Sequence, residues 1–334
     1  MTPCKSHEKK TESENIMSKK NENFLTKSIG VTVLALLCCL LWGSASPLIK
    51  TGYRLFQIPA ESTASVIMFA GLRFTLAGLM TIAAGSVLAH RVLIPKRTSW
   101  GMTGILAVFQ TILQYLFFYI GLAYATGSKG AIYSGTATFF SILVSSLIFR
   151  QEKLTARKMA GCVIGFIGIL ILNAKGGAQA AAFVLAGDGA LLLSNVANGT
   201  SASLIKKFSA REDPVVLSGW QFTAGGIVMM LTGLCCGGRL HPVNAAAWLL
   251  IVYLGFVSAA AYTVWGLLLK YNPVSKITSF SFATPIFGVI LSVIILNEKI
   301  DVGKSLAALA CVCAGICIVN GVKLLKKHET AGKS

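Results

Sequence analysis

Arg73 lies inside an otherwise apolar run, Ala64–Leu88, and a guanidinium in such a place demands a reason. On membrane-insertion scales a charge at a helix centre costs at least ~2.5–3.5 kcal/mol, so the side chain must face protein or water. One reading makes it a cavity cation that grips a substrate carboxylate through paired hydrogen bonds. The other makes it a packing or gating residue satisfied by backbone carbonyls and hydroxyls. Polar and aromatic residues at helical spacing could share its cavity. Gln110, Gln114 and Phe117 fall on one face, with Tyr115 and Tyr119 on a stripe of their own. Tyr262 and Trp265 stand three apart, as do Asn195 and Asn198. Trp42 and Gln221 complete the set. Such faces either line a binding cavity or glue helices to one another.

Acids and imidazoles lie elsewhere. All 12 Asp and Glu and all 4 His fall in tails, loops or helix ends. No carboxylate pair or His–Cys pair reaches the middle of an apolar run, which argues against an intramembrane enzyme. The usual proton relay of Asp, Glu or His is absent as well. That leaves facilitated exchange, uniport, or a proton site at a helix end such as Asp188. The 9 Cys form no CxxC pair with a partnering His cluster, and those within apolar runs read as small hydrophobes. No metal and no cofactor is expected.

Membrane-spanning helices are what would position these residues. Hydrophobic residues make up 54% of the 334 and charged residues only 13%, against about 25% charged in a soluble domain. The apolar runs are continuous and lack period-two alternation, which excludes a barrel. Ten runs follow one another: Ile29–Ile49, Ala64–Leu88, Trp100–Tyr124, Ala131–Phe149, Arg157–Asn173, Gly187–Lys206, Pro214–Cys236, Ala245–Leu269, Ser275–Leu296 and Val302–Leu325. Each approaches the ~20 residues that cross the hydrocarbon core. The fold class is therefore all-α, a polytopic membrane protein of ten transmembrane helices. Residues 1–28 are too polar to pack and read as a disordered cytoplasmic tail, in which Met17 offers a second start; 326–334 form another. The net charge of +18 suggests nucleic acid, but the Lys and Arg sit between apolar runs and in the tails, where topology puts them. With no nucleic-acid motif beside them, that partner is excluded. With the N-terminus inside, only Lys50, Arg54, Lys129, Lys175, Arg239, Lys299 and Lys304 fall outside, so both termini are expected to be cytoplasmic. Lys50 and Lys206 read as interfacial, snorkelling cations, or as a gating contact.

The chain also repeats itself. Leu41-Trp42-Gly43-Ser44-Ala45-Ser46-Pro47-Leu48-Ile49-Lys50 returns as Ala197-Asn198-Gly199-Thr200-Ser201-Ala202-Ser203-Leu204-Ile205-Lys206. Gly71 to Gly78 matches Gly219 to Gly226, which sets Arg73 against Gln221. Thr138 to Phe149 with Glu152-Lys153 matches Thr284 to Ile295 with Glu298-Lys299. Five helices per half is odd, so the halves, 29–173 and 187–325, enter the membrane with opposite orientation, as in secondary transporters. Pro47 should kink the first helix, and Gly161-Cys162-Val163-Ile164-Gly165 reads as intramolecular GxxxG packing.

On Trp42-Gly43-Ser44 with Lys50, Arg73-Phe74, Glu152-Lys153 and Glu298-Lys299, the chain resembles the ten-helix EamA-type members of the drug/metabolite transporter superfamily, over about Ile29 to Leu325. The resemblance implies a five-plus-five inverted-repeat bundle, a central cavity and movement of small metabolites, often outward. The expected function is alternating-access transport of amino-acid-like or carboxylated solutes, since one cation without a buried carboxylate suits them. The site would draw on Trp42, Arg73, Gln110, Gln114, Tyr119, Asn195, Asn198, Gln221, Tyr262 and Trp265. The rivals are a sugar-phosphate or other anion exchanger of the same fold and a non-transporting scaffold or sensor. Small solute and membrane lipid are the expected partners, in a bacterial inner membrane, with oligomeric state left open.

Overall fold

A computed structural model describes residues 28–151, 153–173, 183–272, 277 and 279–320. The expected tails, the Met17 start, Lys175 and Glu152 of the Glu152-Lys153 pair lie outside these residues. Among the described residues every regular element is helical: α1 Ser28–Leu55, α2 Thr63–Leu88, α3 Arg97–Tyr124, α4 Gly127–Ile148, α5 Ala156–Asn173, α6 Ala190–Phe208, α7 Pro214–Cys235, α8 Ala245–Tyr271, α9 Ala283–Leu296 and α10 Val302–Asn320. Seven of them, α1 to α4, α7, α8 and α10, contain stretches long and apolar enough to cross a membrane. α6 falls short because Ser194, Asn195, Asn198, Thr200, Ser201 and Ser203 dilute it. Starts follow local chemistry. Asp213 accepts from Val215 N at 2.7 Å ahead of Pro214 in α7, and Asn244 accepts from Ala246 N at 3.0 Å ahead of α8.

Three boundaries differ from expectation. α1 continues through Pro47 and past Ile49 to Leu55, which puts Lys50 and Arg54 one turn apart on a helix. α4 starts at Gly127, four residues early, because the Thr126 hydroxyl caps it by accepting from Lys129 N at 3.1 Å. Lys129 is therefore a helix residue and not a loop residue. The last turn before α9 is a 3₁₀ turn, Ser279–Phe282, and Pro285 sits in the first turn of α9, where its missing N–H removes no bond.

The repeated motifs are where helices touch most closely. α2 lies against α7, and a Cβ at Gly71, Gly78 or Gly226 would meet the backbone of the other helix. A Cβ at Gly43 of α1 would lie 2.8 Å from Phe287 Cβ and 2.9 Å from Gly288 N of α9. Its counterpart Gly199 of α6 is held in the same way against Phe140 and Ser141 of α4. α5 lies along α10, with Gly161 against Gly315 and Val319 and Gly165 against Phe139, so the GxxxG pattern serves packing within the chain. The cross-packing follows one scheme twice: α3 on α6 and α7, α8 on α1 and α2.

Candidate functional site

Most of the candidate residues meet where α1, α2, α3, α7 and α8 converge. Arg73 projects from α2 and is only 3% exposed. Its Nε donates to Leu254 O at 3.1 Å, one terminal nitrogen to Tyr119 Oη at 2.6 Å, and the other to Ser258 Oγ at 2.9 Å. The guanidinium also lies 4.9 Å from the centroid of the Phe74 ring. Among the described residues it forms no ion pair. The packing reading of this side chain is thus satisfied in geometry, while among the described residues no carboxylate answers its charge.

Gln221, fully buried on α7, occupies the corresponding place. Its Nε2 donates to Gln110 Oε1 at 3.1 Å, and its Oε1 accepts from the Thr111 hydroxyl. Gln110 and Thr111 lie in a π-helical stretch of α3, Ala107–Leu113, whose wider turn departs from the regular spacing assumed for Gln110 and Gln114. Gln114 is 6% exposed, and its Oε1 has no hydrogen-bond partner among the described residues.

Aromatic rings join the two polar centres. Phe74 stacks at 3.9 Å centroid distance on Tyr115, whose hydroxyl lies 3.2 Å from that of Tyr262. Tyr262 packs edge-on against Phe222 at 5.0 Å and Trp42 at 5.6 Å, and Trp42 also meets Trp265 at 5.1 Å. Trp42, Gln110, Gln221, Tyr262 and Trp265 therefore form one connected cluster that reaches Arg73 and Tyr119 through Phe74 and Tyr115. Tyr119 is 0% exposed; it braces Arg73, and its carbonyl accepts from Tyr53 Oη at 2.8 Å.

Two candidates belong elsewhere. Asn195 donates to Tyr133 O at 2.8 Å and Thr136 Oγ1 at 2.9 Å, tying α6 to α4 at the break in α4 around Thr136. Asn198 is half-buried one turn along α6. Lys50 does not snorkel outward: its Nζ donates to Leu122 O at 3.1 Å and Ala125 O at 2.6 Å, capping the C-terminal end of α3. Glu298 caps the next helix, accepting from Gly127 N at 2.6 Å, Ser128 N at 3.0 Å and Ser128 Oγ at 2.7 Å.

Sequence reasoning missed one buried ion pair. Lys129 Nζ lies 2.8 Å from Asp188, in the π-helical turn that leads into α6, and the two side chains are 9% and 1% exposed. Asp188 also accepts from Val184 N at 2.8 Å. Asp188 thus has a standing cationic partner. Tyr53 and Ser258 were missed too; each is an ordinary residue of an apolar helix until the helices cross.

A helical bundle of apolar spans with a buried cation and an aromatic and amide centre defines an integral membrane protein. The chain belongs to the EamA-like transporter family, whose profile matches residues 30–174 and 185–321. It is a membrane transporter of the drug/metabolite transporter type. It is similar to the uncharacterized transporter YvbV of Bacillus subtilis, with 24% identity over 318 residues, 92% of this chain and 97% of the relative. A probable amino-acid metabolite efflux pump of Salmonella typhimurium is 25% identical over 313 residues, 90% of this chain and 98% of the relative. A crystal structure shares the fold at a TM-score of 0.62 and 20% identity, covering 90% of this chain and 99% of that one. Family and relatives' names indicate a transporter and not an enzyme.

Proposed function

We propose that the protein moves small carboxylated or amino-acid-like solutes outward across a bacterial inner membrane, by alternating access between two inverted five-helix repeats, with both termini cytoplasmic. The observation that carries the substrate class is Arg73, buried and caged by neutral groups with no ion pair among the described residues. A buried charge without a counter-charge favours an anionic guest. Trp42, Tyr262 and Trp265 supply apolar walls, and the Gln114 amide oxygen is an acceptor for an ammonium or hydroxyl. The paired contacts of Gly43 with α9 and Gly199 with α4 support the repeat reading, as does the likeness to a probable amino-acid metabolite efflux pump.

The test is purified protein in liposomes offered a pool of amino acids, organic acids, sugars and nucleosides, with mass spectrometry of what enters. Selective entry of carboxylated solutes, lowered in Trp42→Ala and Arg73→Ala variants that remain folded, is the expected result. Entry of neutral sugars alone, or wild-type flux in both variants, overturns it.

A further inference from the structure

A cleft among the described residues lies away from the aromatic centre. It measures about 550 Å³, opens at the C-terminal end of α1, and is lined in part by Lys50, Tyr53, Arg54, Gln57 and Glu298. That volume lies within the ~300–1,000 Å³ range of small-molecule sites.

Its charges are unevenly committed. The Glu298 carboxylate accepts three hydrogen bonds from the first turn of α4, all from neutral donors, and keeps its single negative charge. Lys50 spends two of its three ammonium protons on the carbonyls of Leu122 and Ala125, both neutral acceptors. Arg54, one turn further along α1, is exposed and has no side-chain hydrogen bond or ion pair among the described residues. Two cations therefore face the cleft against one carboxylate, an excess of one positive charge. The wall also leads inward: the Tyr53 hydroxyl donates to Tyr119 O at 2.8 Å, and Tyr119 Oη accepts from Arg73 at 2.6 Å.

We propose that this cleft is a second solute station, in which Arg54 and the remaining proton of Lys50 hold the solute's carboxylate on its way past Tyr53 and Tyr119. The assignment rests on the carboxylated-solute reading above. Arg54 supplies a planar fork for a carboxylate, Lys50 a point charge, and the i,i+4 spacing keeps both on one face of α1. A phospholipid headgroup presents the same anionic chemistry and is the competing source.

The experiment is phenylglyoxal modification of the purified full chain in neutral detergent, with the rate at Arg54 read by mass spectrometry. L-alanine and L-glutamate are the carboxylate probes, L-alaninamide the control without one, and exposed Arg91 the internal reference. The acids should slow modification of Arg54 by about tenfold, as one charge-assisted contact allows, and the amide should not. Lys50→Gln should lose much of that protection. Arg54→Gln, at an exposed position that folding tolerates, should raise KM for alanine in vesicles. Equal protection by acid and amide overturns the proposal, as does protection by phosphatidylglycerol alone, which assigns the cleft to lipid. Transport of alanine without protection of Arg54 sinks the cleft and spares the transport reading. Protection without transport of any solute does the reverse.

Discussion

Arg73 and Gln221 occupy matching places in the two halves and do different work. Each sits three residues into a Gly-rich motif on the tightly crossed pair α2 and α7. Each reaches the same kind of neighbour, Arg73 to α8 and Gln221 to α3. Gln221 closes a neutral network in which its amide donor and acceptor are both met. Arg73 is just as well hydrogen-bonded yet carries an unanswered charge among the described residues. An amide in a low-dielectric interior needs only partners; a guanidinium needs partners and a counter-charge. On the proposed function, the same backbone position serves assembly in one half and an anionic solute in the other.

Arg73→Gln should break the contrast most severely. With an amide in both places, uptake of carboxylated solutes should drop by roughly tenfold to a hundredfold, the scale of a lost charged contact; proteoliposome flux that stays at wild-type levels would erase the functional difference. Gly71→Ala comes next. A Cβ there meets the backbone of Met230, so about 3 kcal/mol of stability should go and both polar centres should shift; thermal unfolding in detergent measures it. Gln221→Ala leaves Gln110 and Thr111 without their partner and should cost about 1–3 kcal/mol in the same assay. Its effect on solute selectivity should be small, and a selectivity change as large as that of Arg73→Gln would make the two sites equivalent.

The smallest effect concerns a polar node at the loop end of the bundle. Glu212 is 8% exposed, and burial by itself would raise its carboxyl. Hydrogen bonds from Lys96 N and Asp213 N, with the charge of Lys96, outweigh burial and hold it below the usual range. A lowered folded value means its contribution is present above the unfolded pKa of about 4.3 and fades as pH falls through the folded one. Wild type should therefore lose stability in that acid window, by less than ~1 kcal/mol, whereas Glu212→Gln should not; parallel melting curves for the two would show that the node is inert.

Much of the bundle was legible from composition and repetition. Helices in an apolar solvent must satisfy their own backbone, so continuous hydrophobic runs mark them directly. The duplicated Gly-rich motifs lie at the closest helix contacts, because small residues are what permit them. Arg73 stood out for the same reason, as a charge where charge is expensive. Boundaries were less legible: Thr126 moved the start of α4 and made a helix residue of Lys129, and α1 ran on past Pro47.

The class of protein, its helices, its internal repetition and the residue types available for binding could be read along the chain, since each depends on local pattern and transfer free energy. Tertiary structure alone decided which of those residues share a site. Asn195 went to Tyr133 and Thr136, Lys129 found Asp188, and Tyr53 reached Tyr119. Those pairings join residues far apart in the chain, and helix crossing and rotation set them, along with the π-helical turn of α3. A periodic pattern tells which residues share a face; only the packed bundle says what that face meets.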